Sequence, residues 1–290
     1  MPELPEVETI VKDLKELIVN KDITEIIALD KQLANFNEAR RQSLIIGQKI
    51  LDVSRRGKHI AIKLTNIYYL VIHLKMTGQL IWVKGAKWLA GGHPTDDLTT
   101  VTKPTWPNNT TRLIINFSDG STLYFNDARR FGWIKLMSEA EWQDYQNKLG
   151  VEPLSKNFTE EFLQALLAQK PRSRIKPLLL NQQYIAGLGN IYTDESLFRA
   201  GIRPDRLASH ITSAEAAKLA SAIRVVLTEA IKHRGTTFSD YRDGRGQKGN
   251  FVNYLQVYGR TGQQCHRCGQ IIQKTILAGR GTHFCPHCQQ

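Results

Sequence analysis

HIAIKL at residues 59–64 and YYLVIHL at 68–74 are short runs rich in β-branched and aromatic residues, the composition of strands buried in a sheet. RLIINF (112–117) and STLYF (121–125) repeat the pattern, with Ser118-Asp119-Gly120 between them as a turn signal. Many short strands with little helix between them, from about residue 23 to 137, predict a sandwich or barrel-like first domain. Upstream, Val7, Ile10, Val11, Leu14, Leu17 and Ile18 share one helical face, and Pro5 and Glu6 suit a helix entrance. Residues 84–111, with three glycines, three prolines and a run of threonines, read as one long surface loop.

Beyond Gly150 the period becomes helical. Residues 159–169 place Phe162, Leu163, Leu166 and Leu167 behind two acids, and 173–181 form a second short helix despite Pro177. Thr212 and Glu215 make a capping box for a helix that Gly235 ends. A glycine-rich charged loop (239–250) and a cysteine-bearing tail follow. The resulting division is a β domain at 1–137, a linker at 138–156, a helical domain at 157–250 and a tail module at 251–290.

Lys plus Arg total 39 against 27 Asp plus Glu, a formal charge of +12. That excess favours an acidic partner, nucleic acid ahead of a membrane surface. The longest apolar run, residues 67–72, is far short of the roughly 20 residues a membrane span needs. The acidic opening Met-Pro-Glu-Leu-Pro-Glu is unlike a basic leader, so a soluble intracellular protein is expected.

All four cysteines fall in the tail, as Cys265-x2-Cys268 and, sixteen residues on, Cys285-x2-Cys288. Paired thiolates at this spacing match a tetrahedral structural zinc site. The alternative is two disulfides, which a reducing cytosol disfavours. His266, His283 and His287 stand close by, but four thiolates already complete the shell. One zinc would staple a module of about 30 residues, too small to hold itself together.

The first residues can act as reagents. Loss of Met1 would leave Pro2 as a secondary amine with a pKa well below that of lysine, able to attack a sugar carbon and form an iminium. Glu3 beside it could move protons. Met1-Pro2-Glu3-Leu4-Pro5-Glu6-Val7-Glu8-Thr9 resembles the opening of the bacterial formamidopyrimidine-DNA glycosylase family. The resemblance continues in order through Arg56-Gly57-Lys58, His73-Leu74-x-Met76-Thr77-Gly78, Asp127-x-Arg129-Arg130-Phe131-Gly132 and Ile175-Lys176-Pro177. It extends through residues 186–192 (AGLGNIY), 257–260 (VYGR) and 279–286 (GRGTHFCP), and so spans nearly the whole chain.

The resemblance implies an α+β fold of two domains: an N-terminal β-sandwich with an N-terminal helix, then a helical domain with a helix–two-turns–helix element and a zinc-ribbon β-hairpin. It implies a bifunctional base-excision enzyme, a glycosylase acting on oxidised purines (8-oxoguanine and formamidopyrimidines) in duplex DNA and then a β,δ-eliminating AP lyase. Pro2 would be the nucleophile at C1′ and Glu3 the general acid/base, with Glu6 near the same site. Lys58 would serve β-elimination and a phosphate, and Arg280 the phosphate beside the lesion during δ-elimination. Met76, Arg129 and Phe131 would fill the gap left by the extruded nucleotide, and Asn190 would touch a phosphate. Arg172 and Lys176 are further phosphate candidates, and His73 takes a structural or phosphate-side place. Residues 239–250 match the segment that covers an extruded purine in relatives. The cofactor is one structural Zn2+ held by Cys265, Cys268, Cys285 and Cys288. The partner is damaged double-stranded DNA, with no membrane; the chain is expected to be a cytoplasmic, nucleoid-associated bacterial monomer. Two departures stand out: Asn108-Asn109-Thr110-Thr111-Arg112 replaces a Lys-His-rich DNA-contacting stretch, leaving Arg112 as the one candidate substitute, and 84–111 is longer than the family pattern. The rivals are the sister endonuclease VIII type, which prefers oxidised pyrimidines and has glycine where Leu4 stands, and a non-catalytic zinc-ribbon protein that binds damage without cutting.

Overall fold

The computed structural model describes residues 1–92, 105–236 and 250–290. The chain divides into two compact units, Met1–Gln146 with Arg234–Asn250, and Asn147–His233 with Phe251–Gln290.

The first unit opens with helix α1 (Leu4–Ile18), whose buried face carries Val7, Ile10, Val11, Leu14 and Ile18. Among the described residues nine strands follow: β1 (Ile23–Ala28), β2 (Ile50–Arg56), β3 (His59–Leu64), β4 (Tyr68–His73), β5 (Gly78–Lys84), β6 (Lys87–Gly92), β7 (Thr111–Phe117), β8 (Thr122–Asp127) and β9 (Trp133–Ser138). They form two antiparallel sheets, ordered β1-β7-β8-β5-β6 and β2-β3-β4-β9. Apolar side chains from α1 and from both sheets make one core, with Ile60, Ile62, Leu70 and Ile72 from one sheet and Leu80, Leu113, Ile115 and Phe125 from the other. This is the expected β-sandwich with its N-terminal helix.

The 84–111 stretch is not one loop. Residues 87–92 form β6, a hairpin partner of β5 closed by Gly85 at φ +57°. Gly91 is there for packing: a Cβ on it would stand 2.6 Å from the Ile10 side chain of α1. Residues 93–104 lie outside the described residues. A short helix, α2 (Ala39–Gln42), joins β1 to β2. Helix α3 (Glu139–Asn147) occupies the first half of the 138–156 stretch, with Trp142 buried against Ala61, Val71 and Met137 on the outer face of the four-stranded sheet.

The second unit contains α4 (Glu160–Gln169), α5 (Ile175–Leu180), α6 (Asn190–Ala200) and α7 (Ser213–Lys232), then the hairpin β10 (Gln273–Leu277) and β11 (Arg280–Phe284). Thr159 caps α4 by accepting from Phe162 N–H at 3.1 Å, and Thr212 with Glu215 forms the capping box of α7. The turn between α5 and α6 is organised by Gln182, which donates to the Leu180 and Leu188 carbonyls and accepts from Gly187 N–H at 2.9 Å. No helix among the described residues is long and apolar enough to cross a membrane.

Candidate active site and nucleic-acid interface

In the first unit, Pro2 and Glu3 sit buried at the mouth of α1. Glu3 is the N-cap, and Glu6 returns its carboxylate to accept from Glu3 N–H at 2.8 Å, half of a capping box. The other Glu6 oxygen accepts from Thr236 N–H at 2.7 Å, and Gly235, at φ +81°, leaves no room there for a Cβ. Arg234 pairs with Asp13 at 2.6 Å, so residues 234–236 are fastened along α1. Most of the 239–250 segment expected to cover an extruded base lies outside the described residues; Asn250 bridges to Thr236.

Lys58 lies in the two-residue turn between β2 and β3, where Gly57 takes φ +58°, and is buried. Arg55 ties this turn to α1, pairing with Glu8 at 2.8 Å and donating to the Gly57 carbonyl at 3.0 Å. The amine candidate and the lysine therefore share one anchored frame.

Next to Lys58, His59 and His73 meet edge to face, ring centroids 4.7 Å apart. His59 Nδ1 faces the Arg56 carbonyl at 3.1 Å and must donate, so Nε2 is the acceptor for the Tyr145 hydroxyl at 3.1 Å. His73 Nδ1 accepts from Lys75 N–H at 2.9 Å. Both rings are neutral: burial lowers His59 to about 4, and burial, then the neighbouring His59, lowers His73 to about 2. His73 is thus buried, with its Nδ1 occupied by the Lys75 N–H. Because the unfolded chain protonates these imidazoles near pH 6.5 and the folded chain does not, their contribution to stability is present above that pH. It is lost as pH falls toward 4, by about 1.4 kcal/mol per pH unit for each histidine. Nitrogen-15 NMR of the imidazoles should show both neutral at pH 5; midpoints near 6.5 would refute the assignment.

Met76, Arg129 and Phe131 are brought together on the surface of this unit. Arg129 Nη1 lies 3.5 Å from Met76 Sδ, and its guanidinium stands 4.7 Å over the Phe131 ring. Met76 is 44% and Phe131 52% exposed, unusual for large apolar side chains packed beside a cation. Arg112 is not a surface contact: its Nε donates to the Asp127 carbonyl at 2.7 Å and faces Asp30 at 3.7 Å, so it does not replace the missing Lys-His stretch.

In the second unit the four Sγ atoms of Cys265, Cys268, Cys285 and Cys288 lie within 4.8 Å of one another, with Cys265–Cys288 at 3.9 Å and Cys268–Cys285 at 3.5 Å. Zn–S bonds of about 2.3 Å in a tetrahedron place sulfurs about 3.8 Å apart, so the set fits one structural zinc; a disulfide needs about 2.05 Å. The cysteines are unbridged. His283 is not a ligand: its N–H and Nδ1 both face Asp194, at 2.9 and 3.3 Å.

Arg280 follows the tip of the ribbon hairpin, where Ala278 and Gly279 take φ +49° and +72°, the left-handed pair of a type I′ turn. It is exposed. The next carbonyl, Gly281, accepts from Asn190 Nδ2 at 2.9 Å and from Lys176 Nζ at 3.0 Å. Arg172 is exposed, as a phosphate contact requires. Lys176 corrects the sequence reading: it is 0% exposed and paired with Asp194 at 2.7 Å, so its ammonium holds the hairpin instead of meeting phosphate. Sequence reasoning missed Asp194 and Glu195, and named Asp127 only as part of a motif, without a role. Glu195 is buried and accepts the N–H groups of Gln256, Val257 and Tyr258; burial raises its pKa.

Three family models match in chain order: the formamidopyrimidine-DNA glycosylase N-terminal domain over residues 1–134, that glycosylase's H2TH domain over 149–242, and a zinc finger found in FPG and IleRS over 262–290. The formamidopyrimidine-DNA glycosylase of Pelotomaculum thermopropionicum is 43% identical, covering 100% of this chain and 99% of its own length. That of Syntrophomonas wolfei is 41% identical, with both chains fully covered. A solved structure of a Lactococcus lactis FPG point mutant with a Fapy-dG containing DNA superposes with a TM-score of 0.85 at 35% identity, covering all of both chains. A complex of the Lactococcus lactis protein with an abasic site containing DNA also gives 0.85, at 34% identity and 99% coverage of each.

Proposed function

The chain belongs to the formamidopyrimidine-DNA glycosylase family, and from that premise we propose that it is a bifunctional glycosylase and AP lyase that removes oxidised purines from duplex DNA. The observation that carries the reading is the mouth of α1, where Pro2 and Glu3 lie buried at the end of an anchored helix. The capping box that starts α1 also fixes Glu3 directly after the buried Pro2, the pairing that an amine nucleophile with a proton carrier needs.

With Met1 removed, the Pro2 nitrogen attacks C1′ of the extruded nucleotide. The N–C1′ bond forms as the bond from C1′ to the base breaks, and the departing base takes up the proton that the Pro2 nitrogen gives up. Glu3 supplies a proton to the sugar oxygen as the ring opens to the iminium. Loss of a C2′ proton then expels the 3′ phosphate, with Lys58 placed beside that step; a second elimination expels the 5′ phosphate, with Arg280 as its phosphate contact. Asn190 and Arg172 hold further phosphates, and the +12 charge makes binding fall steeply with salt. Met76, Arg129 and Phe131 enter the duplex where the nucleotide leaves. The protein works as a monomer on chromosomal DNA in the bacterial cytoplasm.

Borohydride trapping on duplexes carrying 8-oxoguanine opposite cytosine or dihydrothymine opposite adenine tests this directly. The adduct should form mainly on 8-oxoguanine, and strand scission should leave phosphate on both sides of the gap. An adduct mainly on dihydrothymine would assign the pyrimidine preference instead; tight binding with no adduct on either, from protein lacking Met1, would leave a damage-binding protein.

A further inference from the structure

Of the passages the chain makes between the two sheets of the sandwich among the described residues, two run side by side. One crossing, residues 74–77, joins β4 to β5 and carries Met76; the other, residues 128–132, joins β8 to β9 and carries Arg129 and Phe131. The strands they connect are themselves neighbours, His73 pairing with Trp133 and Gly78 with Asp127. Each crossing contains a non-glycine residue in the left-handed region, Lys75 at φ +51° and Arg130 at φ +57°, a conformation that persists only where the surroundings over-determine it.

What holds both crossings is one carboxylate. Asp127 is 1% exposed. Its Oδ2 accepts from Gly132 N–H at 2.6 Å, closing the second crossing on itself. Its Oδ1 accepts from Arg129 N–H at 3.2 Å and from the Thr77 hydroxyl of the first crossing. Arg129 N–H also reaches Thr77 Oγ1 at 3.1 Å, so three groups converge between the two turns. There is no slack around them: a Cβ on Gly132 would stand 3.0 Å from Asp127 Oδ2 and 2.9 Å from Phe125, and one on Gly78 would stand 2.4 Å from the Leu74 carbonyl.

We propose that Asp127, acting through Thr77, is a positioning residue that locks the two sheet crossings together and thereby sets the spacing of Met76, Arg129 and Phe131 for entry into DNA. The proposal rests on the reading of those three side chains as the inserted group. A buried carboxylate serving donors from both turns makes the trio one rigid tool, so discrimination between bases opposite the lesion depends on a residue that touches no DNA.

Asp127→Asn keeps the shape but places an NH2 against donors, and Thr77→Val cuts the link between the turns while leaving the carboxylate. The first readout is insertion without chemistry: 2-aminopurine opposite a tetrahydrofuran abasic analogue brightens when it is unstacked. The second is single-turnover cleavage of 8-oxoguanine opposite cytosine and opposite adenine, set against borohydride trapping on single-stranded abasic DNA, which needs no insertion. Expected are loss of most of the fluorescence rise, a tenfold or greater slowing on duplex and collapse of the cytosine-to-adenine preference in both variants. Single-strand trapping should stay within twofold, and Thr77→Ser should restore the duplex values. Unchanged fluorescence and preference in both folded variants would overturn the proposal. So would an equal loss on single strands, which marks a general structural defect, or an absent fluorescence rise in the unaltered protein. If the unaltered protein brightens 2-aminopurine but traps nothing, the catalytic reading fails while the fluorescence arm still judges the lock.

Discussion

An extension of a few residues placed ahead of Met1, which keeps the Pro2 nitrogen in an amide, is expected to lower trapping and strand cleavage at least about 10³-fold, roughly 4 kcal/mol of barrier. An amide nitrogen has no basic lone pair to offer C1′, whereas a freed proline is an α-amino group with a pKa near 8 and is partly unprotonated at neutral pH. Pro2→Gly should lose less, about 10- to 100-fold, because an amine remains but the ring no longer fixes its direction at the mouth of α1. Binding to a tetrahydrofuran duplex separates chemistry from affinity and should change by far less than cleavage. An extended chain that traps as well as the processed one, or an adduct mapped by mass spectrometry to Lys58, would remove Pro2 from the reaction.

Stripping zinc is expected to have the second large effect. The apolar cluster around the ribbon is small, Phe198, Val257 and Ile272 with two of the cysteines themselves, so the metal adds heavily to what the Lys176, Asn190 and Asp194 contacts supply; structural zinc sites contribute on the order of 10 kcal/mol. Chelation, or Cys268→Ser, should release one zinc per chain and open the tail to protease between residues 262 and 290. Helical signal from α4 to α7 should largely remain. Affinity for duplex DNA should fall at least tenfold, since Arg280 rides on the hairpin whose base the cysteines pin. A stripped tail that resists protease as well as the metal-bound one would rule out the stapling role.

The elements most legible in the sequence were those whose signals are local. The α1 stripe, the apolar face of residues 159–169, the Thr212–Glu215 box and the cysteine spacing all act within a few residues. Strand β6 was not legible because Gly91 and Gly92 look like loop residues until Ile10 is seen against the first and the β5 backbone against the second. Helix α3 was missed because its single deeply buried residue, Trp142, makes no stripe. At the site the same rule holds. Met76, Arg129 and Phe131 were legible as a trio through family resemblance, but Asp127, though part of the same motif, showed no role in sequence because its Thr77 partner stands 50 residues away. Lys176 looked like a surface cation because its partners, Asp194 and the Gly281 carbonyl, stand 18 and 105 residues away along the chain. Charge tells nothing about burial until the partner is known.

The order in which the chain visits its two units has a consequence for how it leaves the ribosome. The first unit is not finished at Gln146, because Arg234 and Thr236, which pair with Asp13 and Glu6 of α1, arrive almost ninety residues later. The second is likewise interrupted, its ribbon being synthesised last. Neither unit can be released as a contiguous gene fragment with all its internal bonds, and a nascent chain stalled between residues 146 and 234 exposes a helix mouth whose Glu6 lacks the Thr236 donor. Completion of the amine-bearing end therefore waits on residues translated long after it.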